Sequence, residues 1–329
     1  MAQHGTQIAK VGIFTSGGDA PGMNAALRAA ARNLLHEGRE VFGIIGGYSG
    51  ILERNFQPLQ SRSLANIIQR GGTILKTARC LEFHRPEVRA QAVHNLREHQ
   101  IDACIVIGGD GSFAGAQAVW QEHEYPMVGI PATIDNDIFG TDSTIGFDTA
   151  INTALEAIDR IRDTATSHDR IFIIEVMGRD SGFIASAVGL AGGAEEVFTP
   201  EYPMPVDQLV EKLKSSASKG KKSSIIVAAE GQKPGRAYDL AEQIRKKMGL
   251  DPKVCILGHQ QRGGPPTAAD RILATRMGCA AVQLLTTGQC DVFVGVESGK
   301  LVAIPFEAPQ RNKKLAPKDY VQLASMLSH

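Results

Sequence analysis

The chain has no surplus of charge: 35 lysines and arginines stand against 35 aspartates and glutamates. Proteins that hold nucleic acid or a membrane surface carry a basic excess, so neither partner is predicted. No stretch approaches the roughly 18 apolar residues that a membrane span needs. The N-terminal MAQHGTQIAKVGIF shows no apolar secretion-signal core ahead of the first strand pattern. Cysteine is sparse and scattered (Cys80, Cys104, Cys255, Cys279, Cys290), odd in number and without a C-x-x-C pair. That usage argues against disulfides and zinc and fits buried thiols in a reducing compartment, which predicts a cytoplasmic protein. Short repeats and low-complexity tracts are missing too. The basic stretch KGKK at Lys219–Lys222 reads as a solvated turn.

What is present is a core and many turns. Of 329 residues 43% are hydrophobic, enough for two domains, and the 35 glycines suit tight strand-to-helix connections. Candidate strands are AKVGIF, EVFGII, DACIVIG, PMVGIP, IFIIEV, SSIIVAAE and KVCILG. Several are apolar throughout, as strands covered on both faces must be. Helical stretches such as AALRAAARNLL and TAINTALEAIDRIRDT alternate with them. The rhythm predicts an α/β protein of two doubly wound βαβ domains with mostly parallel sheets. Ligands of such folds bind beyond the carboxyl ends of the strands, so the junctions there carry the information.

Three junctions stand out. In VGIFTSGGDAPGMNAALRAA, Gly17 and Gly18 let the backbone approach an anion at a helix start, although a plain tight turn would look the same. In IDACIVIGGDGSFAGAQAVW, a buried strand runs into Gly108-Gly109-Asp110-Gly111-Ser112. Gly109-x-Gly111-x-x-Ala114 also matches a dinucleotide fingerprint. Asp110 speaks against that use, because a carboxylate repels pyrophosphate unless a divalent cation lies between them. Mg²⁺ bridging Asp110 to nucleotide phosphates removes the conflict and predicts phosphoryl transfer. A G-x-x-x-x-G-K-[ST] loop occurs nowhere. In PMVGIPATIDNDIFGTDSTIGFDTA, Asp135, Asp137, Asp142 and Asp148 crowd into fourteen positions. Such a cluster can divide base and metal-binding work, or it can be turn and cap chemistry.

The ordered set TSGGDAPGMNAA, GGDGS, TIDNDIxGTDxTIGF, EVMGR and LGHxQRGG resembles the bacterial-type 6-phosphofructokinases over nearly the whole chain. The resemblance implies ATP-dependent transfer to the 1-hydroxyl of fructose 6-phosphate. It places ATP at Gly18, Arg79, Cys80, Gly109, Asp110, Gly111 and Ser112, with Mg²⁺ on Asp110. Thr133, Ile134 and Asp135 would surround the acceptor hydroxyl, with Asp135 as general base, Asp137 in support, and Thr133 and Arg179 in the catalytic group. Met177, Gly178, Arg179, Glu230, Lys253, His259, Gln260, Gln261 and Arg262 would hold the sugar phosphate, and Arg170 would reach it from a neighbouring subunit. The acceptor is an alcohol with a pKa far above 7, so positioning and charge neutralisation must supply most of the catalysis.

The family likeness also implies a homotetramer with shared active and effector sites. Arg28 and Arg32, four apart and so on one helical face, would join Arg162, Glu195, Lys219 and Lys221 in a regulatory site. Asn55 stands where an arginine is expected there, with Arg54 adjacent. Gly111 is the residue of ATP users, whereas aspartate would fill the space of the α-phosphate. Ala132 replaces the glycine of ATP users and the lysine of pyrophosphate users. Lys253 replaces an arginine and gives up its planar fork. Ile45 replaces a tyrosine near the adenine.

The implied division is a larger ATP-binding domain, 1–146 plus 261–310, and a smaller sugar-phosphate domain, 147–260 plus 311–329. Rival readings are a pyrophosphate-dependent enzyme, another GGDG-type kinase, a non-catalytic nucleotide sensor and an NAD-binding oxidoreductase. The TIDND and GHQQRGG segments oppose the other kinases, and Asp110, Asp135 and Arg170 oppose the sensor.

Overall fold

Strands that are apolar on both faces demand helices above and below them, and the chain supplies both in alternation. The computed structural model describes residues 8–167, 170–221, 223–231 and 234–328; Lys222 of the basic stretch lies outside them. Its first half runs β1 (Lys10–Thr15), α1 (Met23–His36), β2 (Glu40–Ile44), α2 (Gly47–Leu52) and β3 (Phe56–Pro58). After a 3-10 turn at Leu81–His84 come α3 (Pro86–Glu98), β4 (Ala103–Gly108), α4 (Asp110–His123), β5 (Met127–Pro131) and α5 (Phe147–Ser167). The chain continues through β6 (Ile171–Val176), α6 (Phe183–Ala191), β7 (Glu196–Phe198), α7 (Val206–Ser218), β8 (Ser224–Ala229), α8 (Arg236–Met248) and β9 (Lys253–Ile256). A second 3-10 turn, Gly258–Arg262, leads to α9 (Ala268–Thr286), β10 (Val292–Glu297), β11 (Lys300–Pro305), α10 (Ala308–Arg311) and α11 (Lys318–Leu327).

The chain divides into two compact units. One holds residues up to 133, 138–148 and 262–314; the other holds 134–137, 149–261 and the residues from 315 on. The first unit carries a seven-stranded sheet in the order β11-β10-β5-β4-β1-β2-β3. Its central strands are parallel, while β3 and β11 close the two edges antiparallel. The central strand β4 is buried at every position, the pattern of a strand with helices on both faces. The edge strand β11 is buried at none. The β10–β11 hairpin turns at Ser298 and Gly299, both at positive φ, as a two-residue primed turn requires.

One side of this sheet is anchored by aromatic rings. Phe113 stacks on Phe293 with centroids 4.9 Å apart and leans on Phe306 at 5.3 Å. Burying each such side chain is worth about 2–3 kcal/mol. Phe113 sits one turn into α4, so its burial fixes the helix whose first residue is Asp110.

The second unit carries a four-stranded parallel sheet, β7-β8-β6-β9. Ile173, Phe198, Leu209, Ile226, Leu240 and Ile244 form its core with α7 and α8. The C-terminal segment belongs to this unit: Tyr202 donates to the Ala316 carbonyl at 2.8 Å.

Candidate active site

In the first unit β1 and β4 are neighbours although they are far apart in sequence, so the winding of the sheet reverses between them. Both glycine-rich junctions therefore emerge side by side. The Ser16 N–H donates to the Ile107 carbonyl at 3.0 Å, and the Thr77 hydroxyl holds the Gly17 carbonyl at 2.8 Å. At Gly108 a Cβ would lie 2.5 Å from Ser112 Oγ and 2.6 Å from the Ser16 carbonyl, so only glycine lets the two junctions close on each other. Gly111 faces the opposite situation. Nothing lies within 4 Å of a Cβ built there. That open space borders the first turn of α4, where backbone N–H groups and the helix dipole favour an anion.

Asp110 is the first residue of that helix. A single carboxylate beside open space at a helix start suits Mg²⁺ in phosphoryl transfer, where most of the ion's shell is phosphate oxygen and water. The residues present fit the ion. Arg79 is exposed and Cys80 half-buried at the entry to the Leu81–His84 turn. Arg262 lies against the other junction, donating to the Asp19 carbonyl at 3.0 Å and sitting where a Gly18 side chain would collide with it.

Sequence reasoning missed Tyr48. Its buried hydroxyl donates to the Ser112 carbonyl at 2.6 Å, and its ring stacks on Phe83 at 4.0 Å. Burial pushes its phenol far above the ordinary range, so it serves as a neutral donor. It stiffens Ser112 and the turn after Cys80 together. Ile45, three residues earlier, is half-buried at the end of β2, its N–H bonded to the Asn55 carbonyl at 3.0 Å. A tyrosine four residues after the end of β2, at the start of α2, was the available signal.

In the second unit β6 ends in Met177-Gly178-Arg179. Gly178 has φ of 142° and Arg179 of 50°. A side chain at Gly178 would meet the Ser181 carbonyl at 2.3 Å. Arg179 adopts the left-handed conformation that costs an L-residue about 1–2 kcal/mol, and its side chain is exposed. Such an outlier has to be held by its surroundings.

The support comes from buried side chains. Gln261, expected among the substrate contacts, is completely buried. Its Oε1 accepts the Met177 N–H at 2.8 Å, and its Nε2 donates to the Ala150 carbonyl at 3.4 Å. Glu175, also buried, accepts the N–H groups of Gly235 and Ala237 at 2.8 Å each and so caps α8. Glu201 accepts the Gly182 N–H at 2.8 Å at the start of α6. His259 and Gln260 are exposed on the Gly258–Arg262 turn, whereas Glu230 is buried beside β6. Lys253 donates to Asp251 at 2.7 Å; that contact, with Arg245 second, holds the Asp251 carboxyl at about 2. Arg170 is exposed at the residue before β6.

The aspartate cluster separates by its surroundings. From 133 to 138 burial alternates, leaving Thr133, Asp135 and Asp137 half-exposed and Ile134, Asn136 and Ile138 buried. Asp142 accepts the Ser298 N–H at 2.7 Å, and Asp148 accepts the Thr267 hydroxyl at 2.6 Å. Those two hold the frame. Ala132 is buried, its N–H on the Gly108 carbonyl at 2.9 Å.

The six expected effector residues fall in both units. In the first, Arg28 is half-buried and Arg32 donates to the Ser61 carbonyl at 3.2 Å. In the second, Arg162 donates to the Gly193 carbonyl at 2.9 Å, Lys221 pairs with the buried Glu195 at 2.8 Å, and Lys219 is exposed. Arg54, beside Asn55, is committed elsewhere, to Glu98 at 2.5 Å.

Residues 10–285 match the family model of phosphofructokinase. The ATP-dependent 6-phosphofructokinase 1 of Thermus thermophilus is 53% identical over 319 residues, 97% of this chain and 99% of that protein. The ATP-dependent 6-phosphofructokinase of Coxiella burnetii is 52% identical over 94% of each chain. Phosphofructokinase from Saccharomyces cerevisiae superposes with a TM-score of 0.83 at 36% identity; the match covers 96% of this chain and 45% of the yeast chain. Both the sequence and the fold place this chain in the phosphofructokinase family.

Proposed function

We propose that the chain is an ATP-dependent 6-phosphofructokinase, moving the terminal phosphoryl group of ATP to the 1-hydroxyl of fructose 6-phosphate. One observation carries the donor: Gly111 leaves open space at the start of α4 in a chain about half identical, along its whole length, to ATP-dependent relatives. Aspartate at that position would fill and charge the space, and Ala132 offers no cation to pyrophosphate. Pyrophosphate is therefore the disfavoured donor.

In this reading the nucleotide residues belong to the first unit, and the sugar-phosphate residues, Arg262 excepted, to the second. Gly18, Arg79, Cys80 and Gly109–Ser112 hold ATP, and Asp110 holds Mg²⁺, which neutralises charge on the phosphates. Asp135 takes the hydroxyl proton during transfer, with Thr133 and Asp137 beside it. Arg179 neutralises charge on the transferring group, and Met177, Gly178, Glu230, His259, Gln260 and Arg262 orient the sugar phosphate. Gln261 acts from behind, through the Met177 turn. Arg170 and Lys253 act across a subunit contact in a cytoplasmic homotetramer. Arg28, Arg32, Arg162, Glu195, Lys219 and Lys221 bind an anionic effector.

Purified protein given Mg²⁺, fructose 6-phosphate and either ATP or pyrophosphate tests the proposal. Fructose bisphosphate should form with ATP and not with pyrophosphate. Product from pyrophosphate alone, or from neither, overturns it.

A further inference from the structure

Three of the motifs that carry the functional reading lie apart in sequence, yet hydrogen bonds from buried side chains join them within the second unit. The Gln261 amide accepts the Met177 N–H at 2.8 Å. The turn that follows closes when the Ser181 N–H donates to the Gly178 carbonyl at 2.8 Å. Ser181 then reaches out of the turn: its hydroxyl donates to the Asp135 carbonyl at 3.0 Å. Ser181 is 4% exposed while Asp135 is half-exposed, so the bond is part-buried and its buried donor is costly to leave unmade.

We propose that Ser181 is a positioning residue for phosphoryl transfer: its hydroxyl ties the loop bearing Asp135 to the turn bearing Arg179. The inference rests on Asp135 being the base and Arg179 a charge-neutralising ligand. Two strained elements meet at this bond. Gly178 and Arg179 lie at positive φ on one side of it, and Asn136, next to Asp135, has φ of 52° on the other. Backbone in such conformations relaxes unless held. A shift of the Asp135 loop by a fraction of an ångström moves the carboxylate off the proton it must take, which costs rate without emptying the site.

A simpler role would be to cap α6. The Phe183 N–H points at Ser181 Oγ, but from 3.5 Å, a long contact beside the 3.0 Å bond to Asp135. Loss of a cap lowers stability and leaves the kinetics alone, so the two roles separate experimentally.

The test is steady-state kinetics of Ser181→Ala, Ser181→Cys and Ser181→Thr with a thermal melt of each. The alanine variant should lose about 5- to 20-fold in kcat, with KM for ATP within about 2-fold of wild type. Threonine, which keeps the hydroxyl, should retain most of the rate, and cysteine, a weak donor, should fall between. In an Asp135→Ser background the alanine change should lower kcat by less than about 2-fold, because the group it positions is gone. Overturning results are an alanine variant with normal kcat and a lowered melt, which would mark a structural cap, or equal kcat losses in the single and double variants, which would mean that Ser181 does not act through Asp135. If the alanine variant does not fold, the cysteine variant carries the same comparison. Near-normal turnover in Asp135→Ser alone would remove the base assignment, and the proposal with it.

Discussion

The junction after β4 and the junction after β6 have matching assignments, one for the donor's phosphates and one for the acceptor's, yet they are held in opposite ways. The β4 junction is made by leaving atoms out. Gly108 admits the neighbouring strand end, Gly111 leaves room for a ligand, and backbone bonds from Ser112 and Phe113 to the Gly109 carbonyl complete the turn. The β6 junction is made by adding buried polar side chains: Gln261 under Met177, Ser181 under the Asp135 loop, and Glu175 and Glu201 on helix starts. Removing a glycine blocks a ligand, whereas removing a buried polar group releases a backbone. The first kind of loss should appear in substrate binding, the second in stability and rate.

The comparison breaks first at Asp135. Replacing it with serine should lower kcat by about 10³-fold, the scale of a positioned base, while KM for both substrates stays within a few-fold. Steady-state kinetics with ATP and fructose 6-phosphate check this, and a kcat within 10-fold of wild type removes the assignment. Glu175→Ala comes next. It strands the Gly235 and Ala237 N–H groups at the part-buried start of α8, two bonds at once. Unfolding in denaturant should show a loss of about 3 kcal/mol, with Glu175→Gln intermediate because one acceptor oxygen remains. Gly111→Asp should act the other way, with little change in stability. The new carboxylate enters open space next to Asp110 and repels the nucleotide, so kcat/KM for ATP should fall about 10²-fold. An unchanged ATP profile would show that the donor lies elsewhere.

How legible each junction was in the sequence follows from the same contrast. Glycines that make room announce themselves locally: GGDGS after an apolar run is readable without a fold. The strands βαβ alternation implies were also readable, and β1, β4, β5, β6 and β8 lie where apolar runs predict them. The short β3 and β7, three residues each, and the exposed β11 bury too little to leave a pattern. Gln261 and Ser181 were unreadable for a different reason. Their partners are 84 and 46 residues away, and a polar residue next to a motif looks like a ligand contact until burial shows that it faces inward. Asp142 and Asp148 read equally as chemistry or as turn and cap residues, because their tethers to Ser298 and Thr267 exist only once the chain has folded.

Asp291 sharpens the comparison from the other direction. Glu175 is a buried carboxylate with a backbone donor on each oxygen; Asp291, at the residue before β10, has a buried Oδ1 without a hydrogen-bond partner. Burial, and secondarily the nearby Glu307, push the Asp291 carboxyl up to about 6. The folded protein therefore keeps a proton that the unfolded chain releases near pH 4, so stability falls as pH rises from about 4 to about 6 and is level above that. The group is partly exposed, and solvent screening reduces the loss to about 1 kcal/mol. Asp291→Asn cannot ionise, and asparagine accepts the φ of 62° found there. The variant should match wild type near pH 4 and exceed it by about 1 kcal/mol at pH 7.5, read from denaturant midpoints at the two pH values. A gain of equal size at both would mean that the asparagine helps by packing alone, and a loss at pH 7.5 would mean that the carboxylate has a partner in solution.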